Sequence, residues 1–252
     1  MEALIYKLLA YMNNSLDKDI NYHIAKRLLE NLDKIEGFSL ETAAEACSVA
    51  PSTINRFCKK IGFRNFSNLR NMIVNKYSAC LEKTDSNLNA YGFIAQLKEN
   101  VEIIENIPGE QIERVIKQIN ESRRIVILSF EKHQLQAMEL QKKLLLTGKF
   151  CECDTNLFKQ MDALDELTEE DLVITISIQG YILSEEFFLE KITRTIGKKL
   201  LITFSKSHQH QDVFDEILLC GKIENTAVSS ETLLRLFDVM FQQVPSPTYL
   251  RA

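Results

Sequence analysis

The chain has 252 residues, 45% of them apolar and 26% charged, and a formal net charge of −5; this is a soluble, globular composition that excludes a disordered or fibrous polymer. The length allows one large domain or two ordinary ones, either able to bury its own core. The longest weakly polar stretch, 172–183, is interrupted by Thr, Ser, Gln and Gly and falls far short of the roughly 20 apolar residues of a membrane helix, so no membrane partner is expected.

The opening run MEALIYKLLAYMNN has an acid at position 2 and lacks the cationic start and cleavage site of a signal peptide, so a cytoplasmic location is expected. The first part then reads as helices only. Leu4, Ile5, Leu8, Leu9 and Met12 make one apolar stripe, and Ile20, Ile24, Leu28, Leu29 and Leu32 a second, with Asp17 or Asp19 available as its cap. A short third helix, about 40–47, follows Ser39, although Thr42 stands where a full capping box would want Glu or Gln. The fourth lies in APSTINRFCKKIGF (50–63), with Pro51 in its first turn, and a fifth follows Phe66 with Leu69, Met72 and Ile73 inward.

Charge is distributed unevenly. Residues 1–77 carry 11 Lys/Arg against 8 Asp/Glu, whereas the remainder carries 19 against 27. Between 46 and 81 there is no acid at all, but there are six bases: Arg56, Lys59, Lys60, Arg64, Arg70 and Lys76. A one-sign stretch inside an acidic chain suggests a polyanion contact, with a solvated helix face as the bland alternative.

Residues 78–90, SACLEKTDSNLNA, are polar and aperiodic and read as a linker, dividing a domain at 1–77 from one at 91–252. Beyond them helices at 91–106 and 109–121 lead to a strand at 124–130. A helix at 134–147, a strand at 149–153, a helix near 156–164 and a strand at 172–178 follow. The chain closes with a helix at 182–196, strands at 199–204 and 216–220, and a helix at 229–243. Short β-rich runs alternating with helices predict an α/β, doubly wound, mainly parallel sheet covered on both faces.

Six cysteines, at 47, 58, 80, 151, 153 and 220, are scattered among apolar neighbours, and free thiols are expected. Cys151 and Cys153 with His208 and His210 lack the spacing of a structural zinc site. Neither a metal nor a cofactor is expected.

Two short helices across a tight turn, the second with a basic outer face, fit a DNA-reading helix-turn-helix. Ile54, Phe57 and Ile61 face inward with Val49, Ala43 and Ala44; the opposite side presents Ser52, Asn55, Arg56, Lys59 and Lys60. Ser52, Thr53, Asn55 and Arg56, near the helix start, are the candidate base readers, because Asn pairs with adenine and Arg with guanine in the major groove. Lys59, Lys60 and Arg64 are candidates for phosphates. In the alternative reading, Thr53 is partly buried and Arg56 ties the helix down.

The run Thr53-Ile54-Asn55-Arg56-Phe57-Cys58-Lys59-Lys60-Ile61-Gly62-Phe63 resembles the T-[VI]-x-R-F-x-[RK]-K-[LI]-G-F motif of RpiR-type transcriptional regulators. Two departures stand beside it: Ser48 replaces the usual turn glycine and Ala50 the usual capping serine. The resemblance implies double-stranded operator DNA as partner, a homodimer or homotetramer, a non-enzymatic role, and control of sugar or amino-sugar metabolism genes. It also implies a C-terminal sugar-isomerase (SIS) domain, a phosphosugar-binding fold onto which 91–245 can be laid almost without gaps.

The expected phosphate loop is altered. Where such domains carry G-x-G-x-S, this chain has Ser129, Phe130, Glu131, Lys132 and His133. The second loop, usually S-x-S-G, reads Ser177-Ile178-Gln179-Gly180, and Thr203 and Ser205 end the next strand. Ser129, Lys132, His133, Ser177, Gln179, Gly180, Thr203 and Ser205 are the candidate effector contacts. Two readings stay open: an anionic phosphosugar held without the glycine loop, or a degenerate domain serving mainly assembly. A rival from another class is a sugar-phosphate-binding protein or isomerase-like enzyme whose helical head docks a protein.

Overall fold

A computed structural model of the chain describes residues 2–74, 90–129, 133–155, 157–178, 180, 183, 186–205, 212–222 and 228–242. The linker expected at 78–90 therefore lies almost wholly outside the described residues. The chain divides into two compact units, Met1–Glu82 and Lys83–Ala252.

The first unit has five α-helices among the described residues: α1 (Glu2–Asn14), α2 (Ile20–Glu30), α3 (Leu40–Ala46), α4 (Pro51–Lys60) and α5 (Phe66–Val74). Of the two predicted N-terminal stripes, Leu4, Leu8, Ile24 and Leu28 are buried. Leu9 and Ile20 stay in solvent at the edges of their stripes. Asp19, not Asp17, caps α2, accepting from the Tyr22 N–H at 2.8 Å. Ser39 caps α3 through the Thr42 N–H at 3.0 Å, so the incomplete capping box still closes by its backbone half. Ala43 and Ala44, both buried, leave room for Ile54, Phe57 and Cys58 of α4 in one core with Leu8, Leu28, Phe66 and Leu69.

Both departures from the motif have a structural counterpart. Ser48, in the turn between α3 and α4, has φ of 55°, the left-handed region that glycine occupies without a Cβ penalty. Ala50 stands at the N-cap of α4 and offers no side-chain acceptor. Ser48→Gly is expected to stabilise the unit by about 0.5–1 kcal/mol, and Ala50→Ser by about 1 kcal/mol. Together they should raise the thermal midpoint of this unit by roughly 5 °C or more in a circular dichroism melt.

In the second unit α6 (Ala90–Glu105) and α7 (Gly109–Glu121) precede β1 (Ile125–Ser129) and α8 (Gln134–Leu146). Then follow α9 (Leu157–Leu164), β2 (Leu172–Ile176), α10 (Glu186–Arg194), β3 (Lys198–Thr203), β4 (Glu216–Leu219) and α11 (Ser229–Phe241). The strands pair in the order β1-β2-β3-β4, every neighbour parallel. Alternate strand residues supply two cores. Ile125, Ile127, Ile174 and Ile202 pack with Val115, Leu140, Leu144, Leu236 and Phe237 from α7, α8 and α11. On the other face Val126, Leu128, Val173 and Leu201 pack with Met161, Leu164 and Ile192 from α9 and α10. The unit is the expected α/β, doubly wound fold.

The predicted strand at 149–153 is reduced to one parallel bridge between Val126 and Glu152, along the edge of β1 away from β2. Two backbone bonds, Ile127 N–H to the Glu152 carbonyl and Glu152 N–H to the Ile125 carbonyl, both 2.8 Å, hold it. With a partner on one side only and Gly148 (φ 88°) just before it, the segment does not propagate a ladder. The Arg124 guanidinium grips the Glu152 carboxylate through Nε and Nη2 and fixes its register.

Candidate functional site

α4 presents two chemically distinct sides. Its inner side is apolar and closed: Ile54, Phe57 and Cys58 are fully buried, and burial pushes the Cys58 thiol up to about 12, far from a reactive thiolate. Its outer side holds Ser52, Arg56, Lys59 and Lys60 exposed, with Thr53 and Asn55 half-buried. Among the described residues neither Arg56 nor Lys59 makes an ion pair, and the absence of any acid from 46 to 81 explains why. Among the described residues no ion pair ties Arg56 down. No acid stands in the first turn of α4 and no side chain caps it; Pro51 has no N–H and the Thr53 and Ile54 N–H groups already donate to the Ala50 carbonyl, which leaves the Ser52 N–H to face an anion.

The other predicted contacts are more committed. Asn55 is half-buried, and its Oδ1 accepts the Phe66 N–H at 2.9 Å, which caps the start of α5. A bidentate pair with adenine uses both ends of the amide, and one of the two lone pairs of Asn55 Oδ1 is already committed to the Phe66 N–H. Lys60 Nζ lies 5.2 Å from the Tyr11 ring centroid, and a hydrogen bond with Tyr11 holds its pKa above the ordinary lysine value. Lys60 is thus a charged post anchored on α1. Arg64 is exposed in the α4–α5 connection, where its N–H donates to Asn68 Oδ1 at 3.2 Å. Arg70 donates from Nη1 to the Phe38 carbonyl at 3.0 Å. A cleft of about 320 Å³ opens between Ser39, Asn55, Asn65, Ser67 and Arg70, beside the reading face. The capping role of Asn55 was not visible in the sequence, because its partner is 11 residues away across a turn.

The second candidate site lies where the carboxyl ends of β1, β2 and β3 meet. The chain leaves β1 toward the 149–153 edge and later returns to its other side as β2, so the β1/β2 ends form a topological switch point, where open α/β sheets bind ligands. Ser129 ends β1 and Ser177 follows β2 on the neighbouring strand; both are buried. The Ser129 hydroxyl has no hydrogen-bond partner among the described residues. Its backbone is already occupied: its N–H donates to Gln160 Oε1 at 3.2 Å, and Gln160 Nε2 donates to its carbonyl at 3.0 Å. A phosphate loop at this strand end would use just such N–H groups, and here a glutamine amide has taken one of them. Nothing in the sequence signals this, since a buried Gln160 beside Met161 reads as ordinary helix.

In the second loop, Gly180 keeps the left-handed backbone that favours glycine. Gly180 has φ of +75°, and a Cβ there would come within 3.8 Å of the Ser205 side chain. Thr203 is a pin, its hydroxyl donating to the Ser177 carbonyl at 2.7 Å and accepting the Ser205 N–H at 3.0 Å. His133 caps the start of α8 without a side-chain cap bond, and its Nε2 meets the buried Ser229 hydroxyl at 2.8 Å, joining the first turns of α8 and α11. Ser129, Ser177, Gly180, Thr203 and Ser205 are thus brought to one strand edge, whereas Lys132 and Gln179 lie outside the described residues. His208 and His210 do too; Cys151 is a buried free thiol raised to about 12 by burial, which fits core packing. Among the described residues no helix is long and apolar enough to cross a membrane.

Residues 6–80 match the family model described as the helix-turn-helix domain of the rpiR family. An uncharacterized HTH-type transcriptional regulator in the aarA 3′ region of Providencia stuartii is 22% identical over 193 residues, covering 71% of this chain and 67% of that protein. An uncharacterized HTH-type transcriptional regulator of Haemophilus influenzae is 28% identical over 172 residues, covering 63% of this chain and 59% of that one. The chain therefore spans about two thirds of the first relative and less of the second. Among solved structures, the Vibrio vulnificus NanR protein complexed with ManNAc-6P aligns over 96% of this chain and 90% of its own, with a TM-score of 0.52 at 17% identity, a likeness of fold.

Proposed function

We infer that this chain, whose residues 6–80 match the helix-turn-helix domain of the rpiR family, is a DNA-binding transcriptional regulator of sugar or amino-sugar metabolism genes. The observation that carries the reading is the outer face of α4, where Arg56 and Lys59 stand exposed on a helix whose inner face is locked in its core. Ser52, Thr53 and Arg56 read base edges, and Lys59, Lys60 and Arg64 take phosphates. Asn55 contributes mainly by holding α4 against α5. The protein acts in the cytoplasm as a homo-oligomer and performs no turnover.

The SIS-like unit responds to an anionic phosphosugar, bound at the β1/β2 edge by Ser129, Ser177 and the Gly180 turn in place of a glycine-rich loop. Two features support this over a purely architectural role: the buried Ser129 hydroxyl, which has no partner among the described residues, and the ManNAc-6P in the complex of the similarly folded NanR protein. The test is fluorescence anisotropy of the chain on a duplex from its own promoter region, repeated with ManNAc-6P and other phosphosugars. DNA affinity that falls steeply with salt and shifts with one sugar phosphate supports both halves. Sugar turnover without DNA affinity would instead favour an isomerase-like enzyme with a protein-docking head.

A further inference from the structure

We propose that the cleft beside the starts of α3 and α5 is a second anchoring point for the duplex, where Asn65, Ser67 and Arg70 hold a backbone phosphate of each half-site. The proposal rests on the DNA-binding reading and adds to it a contact that lies off the outer face of α4. The cleft, about 320 Å³, is lined by Ser39, Asn55, Asn65, Ser67 and Arg70, and among the described residues no carboxylate lines it. What it offers is donors. Asn55 Oδ1 accepts the Phe66 N–H at 2.9 Å, and Asn65 Oδ1 accepts the Asn68 N–H at 2.8 Å. Both amide oxygens are thus turned to the backbone, and neither Nδ2 group has a partner among the described residues. Arg70, half-buried, donates from Nη1 to the Phe38 carbonyl at 3.0 Å, its one hydrogen bond among the described residues. Its guanidinium is held in place with most of its five donors still open.

Donors without a carboxylate select an anion, and phosphate is the anion that arginine, serine and asparagine side chains hold along a duplex. Two features favour a phosphate of the DNA backbone over a free one. Ser39, Asn65 and Ser67 are exposed, so the cleft is an open groove along which a strand can run, whereas a small-molecule site encloses most of its ligand. Asn55 belongs to α4 and also lines the cleft, so a duplex whose bases meet Ser52 and Arg56 carries a sugar–phosphate strand past its mouth. Arg70 is suited to the role by its tie to Phe38: a guanidinium already fixed at one end loses little rotamer freedom when an anion arrives.

The test is fluorescence anisotropy of the full chain and two variants on operator and scrambled duplexes over a range of salt. Arg70→Gln should weaken both duplexes alike by about tenfold per half-site and lower the salt slope by about 0.9 per half-site. Ser67→Asp sets a carboxylate in the cleft at the first turn of α5, where an acid favours the helix; it should keep the fold by circular dichroism yet weaken both duplexes by roughly tenfold or more. If Arg70→Gln does not fold, Ser67→Asp decides. Duplexes with a single neutral methylphosphonate linkage locate the phosphate. One position in each half-site should weaken the unsubstituted chain and have no further effect on Arg70→Gln, a signature that a merely structural arginine does not give. Unchanged affinity and slope in both folded variants, or a loss confined to the operator, would overturn the proposal and leave the DNA reading standing. So would inorganic phosphate that raises the thermal midpoint of the unsubstituted chain but not of Arg70→Gln while their duplex affinities stay equal, since the cleft would then serve a free anion. An unsubstituted chain that binds neither duplex would overturn the DNA reading as well.

Discussion

Phe57→Ala is expected to cost the helix-turn-helix unit about 3–5 kcal/mol, the usual range for emptying a buried aromatic site. Phe57 is fully buried and ranks among the largest buried side chains of the chain. Its ring meets Tyr11 edge-on, with centroids 5.4 Å apart and planes at 88°, a contact that adds about 0.5–1.5 kcal/mol to simple burial. It also stands where the unit can least collapse around a void, because Ile54, Cys58, Leu8, Leu28 and Leu69 converge on the same core from four helices. Domains of this size have only about 5–15 kcal/mol of stability in all, so the variant should be substantially unfolded at 37 °C. Urea titration followed by circular dichroism would show an early loss of helix. The second unit, Lys83–Ala252, has its own cores and should keep its transition. A loss below about 1 kcal/mol would mean that Phe57 is not the keystone of α4.

The same residue shows how much the sequence discloses. Inward and outward sides of α4 were legible because helical spacing sorts Ile54 and Phe57 from Arg56 and Lys59 without knowledge of any partner. The alternation in β1 to β4 was legible for a related reason: continuous β-branched runs between helices leave few options besides a parallel sheet covered on both faces. What escaped depends on pairings between distant residues. Asn55 looks like a groove reader by position, and only the meeting of α4 with α5 turns its carbonyl to Phe66. Gln160 carries no pattern at all, yet it closes the backbone of Ser129. Segment 149–153 has strand composition, but an edge with one neighbour sustains a single bridge rather than a ladder. Ser48 and Ala50 lie between these cases: the sequence marked them as departures, and φ at Ser48 and the uncapped start of α4 give each its physical cost.

Arg56→Ala combined with Lys59→Ala is expected to abolish specific DNA binding while leaving the fold intact. Both side chains are exposed and make no ion pair among the described residues, so their removal opens no cavity and strands no buried charge. A bidentate arginine contact to guanine is worth about 1–3 kcal/mol of discrimination. On a two-fold dimer the loss falls in both half-sites, about 2–6 kcal/mol, or from roughly 30-fold to more than 10⁴-fold in affinity. The two substitutions should differ in kind. Arg56→Ala alone should erode preference for the operator over unrelated duplex. Lys59→Ala alone should weaken both about equally and reduce the salt slope by about one counterion per half-site. Anisotropy titrations at several salt concentrations, on operator and scrambled duplexes, separate these signatures. Unchanged affinity and slope in the double variant would remove α4 from the DNA interface. Loss in Arg56→Ala that is equal on operator and scrambled duplexes would keep α4 at the DNA but make Arg56 a phosphate contact, leaving sequence choice to Ser52 and Thr53.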